Sequence, residues 1–131
     1  MMKQDVYFGH SKLNGEEHQH TLTAASNYAS ALVTLKRFED AKSVLRKTIP
    51  VARRVFGEGN ETALIMRFTY SRALYRDTGA TLDDISEAVT TLEEVERTTR
   101  RVMGIAHPLT ASMENTLREA RAALRARSAL P

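Results

Sequence analysis

A repeat constrains this chain more than any other feature. Gly15 opens Gly-Glu-Glu-His-Gln-His-Thr-Leu, and Gly57, 42 residues later, opens Gly-Glu-Gly-Asn-Glu-Thr-Ala-Leu. A third start follows at Gly104, in Gly-Ile-Ala-His-Pro-Leu-Thr. Units repeated at a period of roughly 20–50 residues form solenoids, because one unit cannot bury its apolar face alone and must stack on a neighbour. The second interval, Gly57 to Gly104, is 47 residues. Leu32 to Ala41 spans nine positions and Leu74 to Ala88 fourteen. The five extra residues therefore fall in the turn between the second unit's two helices and at the start of the later one.

Within each block the apolar residues keep helical spacing. Leu22, Ala25, Tyr28, Ala29, Leu32 and Leu35 lie three or four apart on one helix face. After a break at Lys36-Arg37 the pattern resumes with Phe38, Ala41, Leu45, Ile49, Ala52 and Val55. This predicts an antiparallel pair, helix A then helix B. The second block repeats it, with helix A around Leu64–Tyr75, a turn at 77–80, and helix B from Leu82 to Met103. Thr81 with Asp84 predicts a capping box at the start of that helix B. Its acidic front and the arginines 97, 100 and 101 at its back suit the helix macrodipole. Pro108 is placed for the first turn of a last helix, with Met113, Leu117, Ala120 and Leu124 as its apolar stripe and Glu114–Arg118 as an i,i+4 pair. That helix is expected to cap the stack and turn an arginine-rich face to water. One conflict stands out. Pro50 falls inside the first helix B, where proline costs about 3 kcal/mol, so a kink or break is expected near Lys47–Pro50.

Composition removes several functions. The chain has 131 residues, 42% hydrophobic and 27% charged, enough for one domain with its own core. With no cysteine there is no disulfide frame, thiolate metal site or cysteine nucleophile. The first residues lack the apolar stretch of a secretory signal, and no apolar run approaches the roughly 20 residues that span a bilayer. A soluble, cytoplasmic protein without membrane partner is expected. His18 and His20 sit two apart, but only His10 and His107 remain to complete a metal site, which needs three or four ligands. No glycine-rich phosphate loop and no nucleophile motif with a partnered base is present. The expectation is no catalysis, no cofactor and no metal. The net charge of +3 is too small to argue for nucleic acid, and 6% aromatic residues at no recurring position give no stacking platform.

The repeat resembles the tetratricopeptide repeats of the kinesin light chain type, whose unit of about 42 residues opens Leu-Gly-x-x-His-Pro-x-Thr-Leu. The first unit carries the matches Gly15, His18, Thr21, Leu22, Asn27, Ala29, Leu32, Asp40 and Ala41. The second carries Gly57, Leu64, Leu74, Glu87 and Ala88, and the third Gly104, His107, Pro108 and Thr110. Gln19 and Glu61 replace the proline, Asn60 the histidine, and Lys36 the turn glycine; Thr69 and Thr116 stand where Asn27 does. The resemblance implies an all-α fold, an α-solenoid of about five helices in antiparallel pairs. It forms a single domain over 1–131, with units at about 15–56 and 57–103 and a capping helix at 107–126. Residues 2–13, with Tyr7 and Phe8, read as a short N-terminal helix left from a preceding unit.

In that family the A helices line a groove that holds an extended peptide. Carried over by position, the groove residues are Thr23, Ser26, Asn27, Ser30 and Thr34 from the first helix A, and Phe68, Thr69, Arg72, Tyr75 and Arg76 from the second. The third helix adds Asn115, Thr116 and Glu119. Asn27 offers donor and acceptor to a peptide backbone, Arg72 and Arg76 charge-assisted bonds to a carboxylate, and Phe68 and Tyr75 an apolar anchor. Each also has a plain structural reading: Asn27 as a link between helices, the two aromatics as core, the two arginines as solvated. The expected function is non-enzymatic binding of a protein or peptide. The alternative is a scaffold fragment that self-associates through exposed solenoid ends, with a nucleic-acid-binding repeat the weaker third reading.

Overall fold

A computed structural model describes residues 18–130. The unit start at Gly15, the expected helix over 2–13 and His10 lie outside the described residues. Five helices follow one another: α1 His18–Thr34, α2 Phe38–Phe56, α3 Glu61–Arg76, α4 Leu82–Met103 and α5 Pro108–Ser128. The described residues hold no strand. The chain is an all-α helical-repeat solenoid, as the repeat predicts.

Each helix packs on the next, and α3 also packs on α1 and α5, whereas α2 and α4 do not pair to a comparable extent. The A helices α1, α3 and α5 thus run side by side and the B helices splay. A stack whose members approach more closely on one side curves toward that side, so the A helices form the inner face. Alanine makes the close approaches: Ala25, Ala29, Ala41, Ala52, Ala73, Ala88 and Ala120 are fully buried. Three groups of side chains fill the space between, one of them Leu32 and Val33 of α1 with Ala41 of α2 and Ala73 of α3. Leu22, Leu45 and Met66 join α1, α2 and α3, and Leu64, Phe68, Leu92, Val95 and Met113 join α3, α4 and α5. Helix α3 contributes to all three, so losing it would split the core.

The turns explain the unequal periods. The α1–α2 turn takes residues 35–37 and the α3–α4 turn 77–81, while α2 has 19 residues and α4 has 22. Two of the five extra residues are in the turn and three in the helix. In the shorter turn Lys36 has φ +61°, and its N–H bonds the Val33 carbonyl while that of Arg37 bonds Leu32. This is the Schellman arrangement that usually recruits glycine. The Thr81–Asp84 capping box forms as expected. Pro108 occupies the first turn of α5.

Two expectations are not met, a break at Pro50 and the Glu114–Arg118 pair. Helix α2 runs unbroken through Pro50 from Phe38 to Phe56. Arg46 and Pro50 are both exposed, so the Arg46 carbonyl that loses its helical donor lies on the solvent side, where water can serve it. Ala41, Leu45, Thr48 and Ala52, buried on the opposite side, hold both halves of the helix to the core. The Glu114–Arg118 pair also does not form. Glu114 takes Arg100 of α4 at 3.3 Å, and Arg118 donates to Asn115 at 2.5 Å. The arginines of α5 are exposed as expected, and two of them also reach neighbouring elements: Arg121 meets Glu93 at 2.9 Å and Arg127 donates to the Ala80 carbonyl at 2.7 Å. Cross-helix partners at close range outcompete a pair held only by helical spacing.

Candidate functional site

Counting from the unit glycines aligns the inner face in rows. Eight residues after each glycine stand Thr23, Ile65 and Ser112; twelve after, Asn27, Thr69 and Thr116; fifteen after, Ser30, Arg72 and Glu119; nineteen after, Thr34, Arg76 and Ala123. On α1 the strip Thr23, Asn27, Ser30, Thr34 is spaced four, three and four, which keeps it on one side of a 3.6-residue helix. Three of these are exposed and Ser30 is half-buried. The hydroxyls of Thr23 and Thr34 bond back to the carbonyls of Gln19 and Ser30 at 2.9 and 3.1 Å. Asn27 is exposed at the centre of the strip.

The residues expected from α3 divide into surface and core. Phe68 is 7% exposed and packs with Val89, Leu92 and Met113, so the expected apolar anchor is part of the interior. Thr69, fully buried, bonds the Ile65 carbonyl at 2.8 Å. Ser26 and Thr116 are buried as well. Spacing alone could not separate Ser26 and Thr116 from the face, since Asn27 and Asn115 beside them are exposed, and on α3 no residue from 62 to 75 is exposed.

Arg72 lies across this buried layer. Its guanidinium stands 4.7 Å from the Phe68 ring centre, and one terminal nitrogen donates to Thr69 Oγ1 at 3.3 Å. Its Nε is buried with no hydrogen-bond partner among the described residues. No carboxylate among them pairs with it. Burial and then the neighbouring Arg76 charge push its pKa below the usual arginine value. The strain is electrostatic: a half-buried cation whose stabilisation comes from a π face and a hydroxyl.

Arg76, one turn on, is neutralised. It approaches Glu119 of α5 at 3.4 Å and its Nε donates to the Tyr75 hydroxyl at 3.2 Å; that hydroxyl donates to Glu119 at 2.8 Å. Burial would lower the Arg76 pKa, but the Tyr75 and Glu119 contacts outweigh it and hold it above the usual value. Burial comes first in raising the Tyr75 pKa. Tyr75 thus serves as a packed strut between α3 and α5, with its ring against the core. The sequence put Arg76, Tyr75 and Glu119 in the same candidate groove, but nothing in it shows that they bond to one another across 43 or 44 residues.

One position missed in sequence proves structural. Three residues after the unit glycine, Asn60 accepts from the N–H groups of Thr62 and Ala63, and His107 Nδ1 accepts from that of Leu109. Both are helix N-caps, and asparagine and histidine supply the same acceptor there. The available signal was the shared offset from the glycine. Among the described residues no cluster of three or more histidine and carboxylate groups is placed to hold a metal, and no helix is long and apolar enough to cross a membrane.

Comparison with known families agrees with this architecture. Residues 21–61 match the family model of the tetratricopeptide repeat. The match covers most of α1, all of α2 and the turn into α3. It supports a tetratricopeptide repeat protein, with the remaining helices continuing the same A–B alternation. No curated protein and no solved structure gives a match.

Proposed function

We propose that the chain is a non-enzymatic, cytoplasmic binding module of the kinesin light chain type, and that an extended acidic segment of a partner protein lies along the inner face of α1, α3 and α5. The observation that carries this reading is Arg72, half-buried, with no paired carboxylate and no partner for Nε among the described residues. A peptide carboxylate there would supply the missing charge and acceptor together. Asn27, on the next helix, offers donor and acceptor to the peptide backbone, with Ser30, Thr34 and Asn115 along the track. Glu119 competes with an acidic ligand for Arg76 and tunes the groove.

Fluorescence polarisation with a labelled decapeptide of alternating aspartate and serine tests this, with the lysine–serine peptide as control. The aspartate peptide binds and the lysine peptide does not. Arg72→Glu weakens binding roughly tenfold or more without lowering the melting temperature by more than a few degrees. Glu119→Gln frees Arg76 and tightens it. If Arg72→Glu combined with Asn27→Ala leaves affinity intact, the groove assignment fails.

A further inference from the structure

A second recess lies on the opposite side of the stack, where the B helices splay. Between α2 and α4, floored by α3, a cleft of about 250 Å³ opens to solvent. Leu45, Ile49 and Pro50 of α2 and the Tyr70 ring of α3 give it an apolar base. Arg46 and Arg53 of α2 and Arg67 of α3 stand around that base, and no acidic side chain among the described residues lines it. The volume is below the roughly 300–1,000 Å³ of cofactor and drug-sized sites, and suits one or two side chains.

Three observations converge on the occupant. First, the cleft lining is basic and its charge is only partly compensated. Arg46 is set against the Tyr70 hydroxyl, which with smaller help from the Glu39 and Glu87 carboxylates raises its pKa, and it forms no ion pair among the described residues. Arg53 is held by Glu58 and Arg67 by Glu94 at 3.1 Å, both partners more than half or about half exposed. The Arg53–Glu58 pair, exposed on both sides, is worth little and exchanges readily for a better placed carboxylate, whereas Arg67 stays with Glu94. Second, Arg67 is not a solvated side chain: 9% of it is exposed, so its guanidinium is fixed in the wall. Third, Pro50 has no N–H, so the Arg46 carbonyl one turn before it lacks a helical donor at the cleft edge. A small anion would satisfy the arginines and leave that carbonyl unused. A peptide supplies carboxylates, an apolar side chain and a backbone N–H at once.

We infer that this cleft is a second peptide-docking site, one that takes an acidic segment of a partner protein with a leucine or phenylalanine seated over Pro50 and Tyr70 and its flanking carboxylates on Arg46 and Arg53. The site is independent of the inner face: Arg72 belongs to one and Arg46 to the other, on opposite sides of α3. It also gives Pro50 a use, since an ordinary residue there would close the carbonyl into the helix.

The probe is labelled Asp-Asp-Leu-Phe-Asp-Asp amide, titrated against the full chain with ¹⁵N shift mapping. Shifts concentrated at Ile49, Arg67, Tyr70 and Thr91 support the proposal. Replacing the Leu-Phe pair by Ser-Ser, or every aspartate by asparagine, should each weaken binding roughly tenfold. Arg46→Glu with Arg53→Glu should do the same, while Arg72→Glu leaves this site's shifts unchanged; Pro50→Ala, which restores the donor, weakens binding about threefold without loss of fold. Three results overturn it: no binding of the probe, shifts confined to α1, α5 and the Arg72 side of α3, or full affinity in the Arg46→Glu, Arg53→Glu chain. The last two leave the inner-face reading standing, and failure of the aspartate–serine peptide leaves this one standing.

Discussion

The glycines that set the repeat carry a specific backbone demand. Gly57 has φ 86° and ψ 159°, and Gly104 φ 92° and ψ 160°. This is the mirror image of extended backbone, a region that L-residues essentially do not occupy, and a side chain there costs about 1–3 kcal/mol. Nothing lies within 4 Å of a Cβ built at either position, so no collision adds to that figure. Alanine also restricts the unfolded chain, which returns about 0.4–1 kcal/mol. Gly57→Ala and Gly104→Ala should therefore each destabilise by roughly 1–2 kcal/mol. The two turns share no hydrogen-bond partner, so the double variant should lose close to the sum. Asparagine, which tolerates the left-handed helical region, should not rescue either site, because ψ near 160° is outside it. Gly59 is the internal control: its φ is not in the positive range and its added Cβ would meet Val102 Cγ2 at 3.4 Å, an ordinary contact. Urea midpoints at constant m read the differences. If Gly57→Ala and Gly104→Ala cost no more than Gly59→Ala, the cap geometry is not what the repeat glycines are selected for, and the reasoning fails.

Lys36→Gly should stabilise the chain by about 0.5 kcal/mol, since a left-handed lysine costs about 1 kcal/mol and glycine's unfolded entropy returns about half of it; a melting temperature equal to or below wild type refutes this. Thr99 is fully buried with no partner for Oγ1 among the described residues, so Thr99→Val should gain about 1 kcal/mol in a urea titration, and a loss would reveal a bonded hydroxyl. The Thr81 backbone N–H, donating to Asp84, holds its carboxyl below the usual carboxylate range. A depressed folded value stabilises above the unfolded pKa and is lost as pH falls through the folded one, so Asp84→Asn should lower the melting temperature at pH 7, with the gap closing between about pH 5 and pH 2; a gap constant with pH removes the charge from the explanation.

Local chemistry was the legible part of this fold. The helix boundaries at Thr81 and Pro108, the turn at Lys36 and the alanine crossings follow from residue types a few positions apart. The break expected at Pro50 does not occur, because a proline penalty depends on which side of the helix the orphaned carbonyl faces, and that is a property of the stack. The site was legible by row and not by depth. The repeat register put Asn27, Arg72 and Glu119 on the inner face, but Phe68 and Thr69 disappear into the core because α1 and α5 close over the middle of α3. Ion pairs were the least legible of all. Glu114 had a partner at helical spacing and took Arg100 of another helix instead, a choice fixed only by packing.

The same pairing decides what the basic composition means. The excess of three positive charges in 131 residues is not spread as a field for nucleic acid. Arg67, Arg76, Arg100 and Arg121 are each closed against a glutamate. An exposed arginine such as Arg97 costs nothing when unpaired, because water solvates it, and so says nothing about a ligand. A half-buried one is different, since its desolvation must be offset by something fixed nearby. Arg72 answers that with a ring face and a hydroxyl and leaves Nε bare; Arg46, more exposed, leans on a neutral phenol beside a proline-broken hydrogen bond. Neither forms an ion pair among the described residues, and they lie on opposite sides of α3. If acidic segments of a partner engage either, affinity should fall with salt by the one or two charges at that site rather than by the six to ten of a nucleic-acid interface. A salt slope of that larger size would place the charge response outside both recesses.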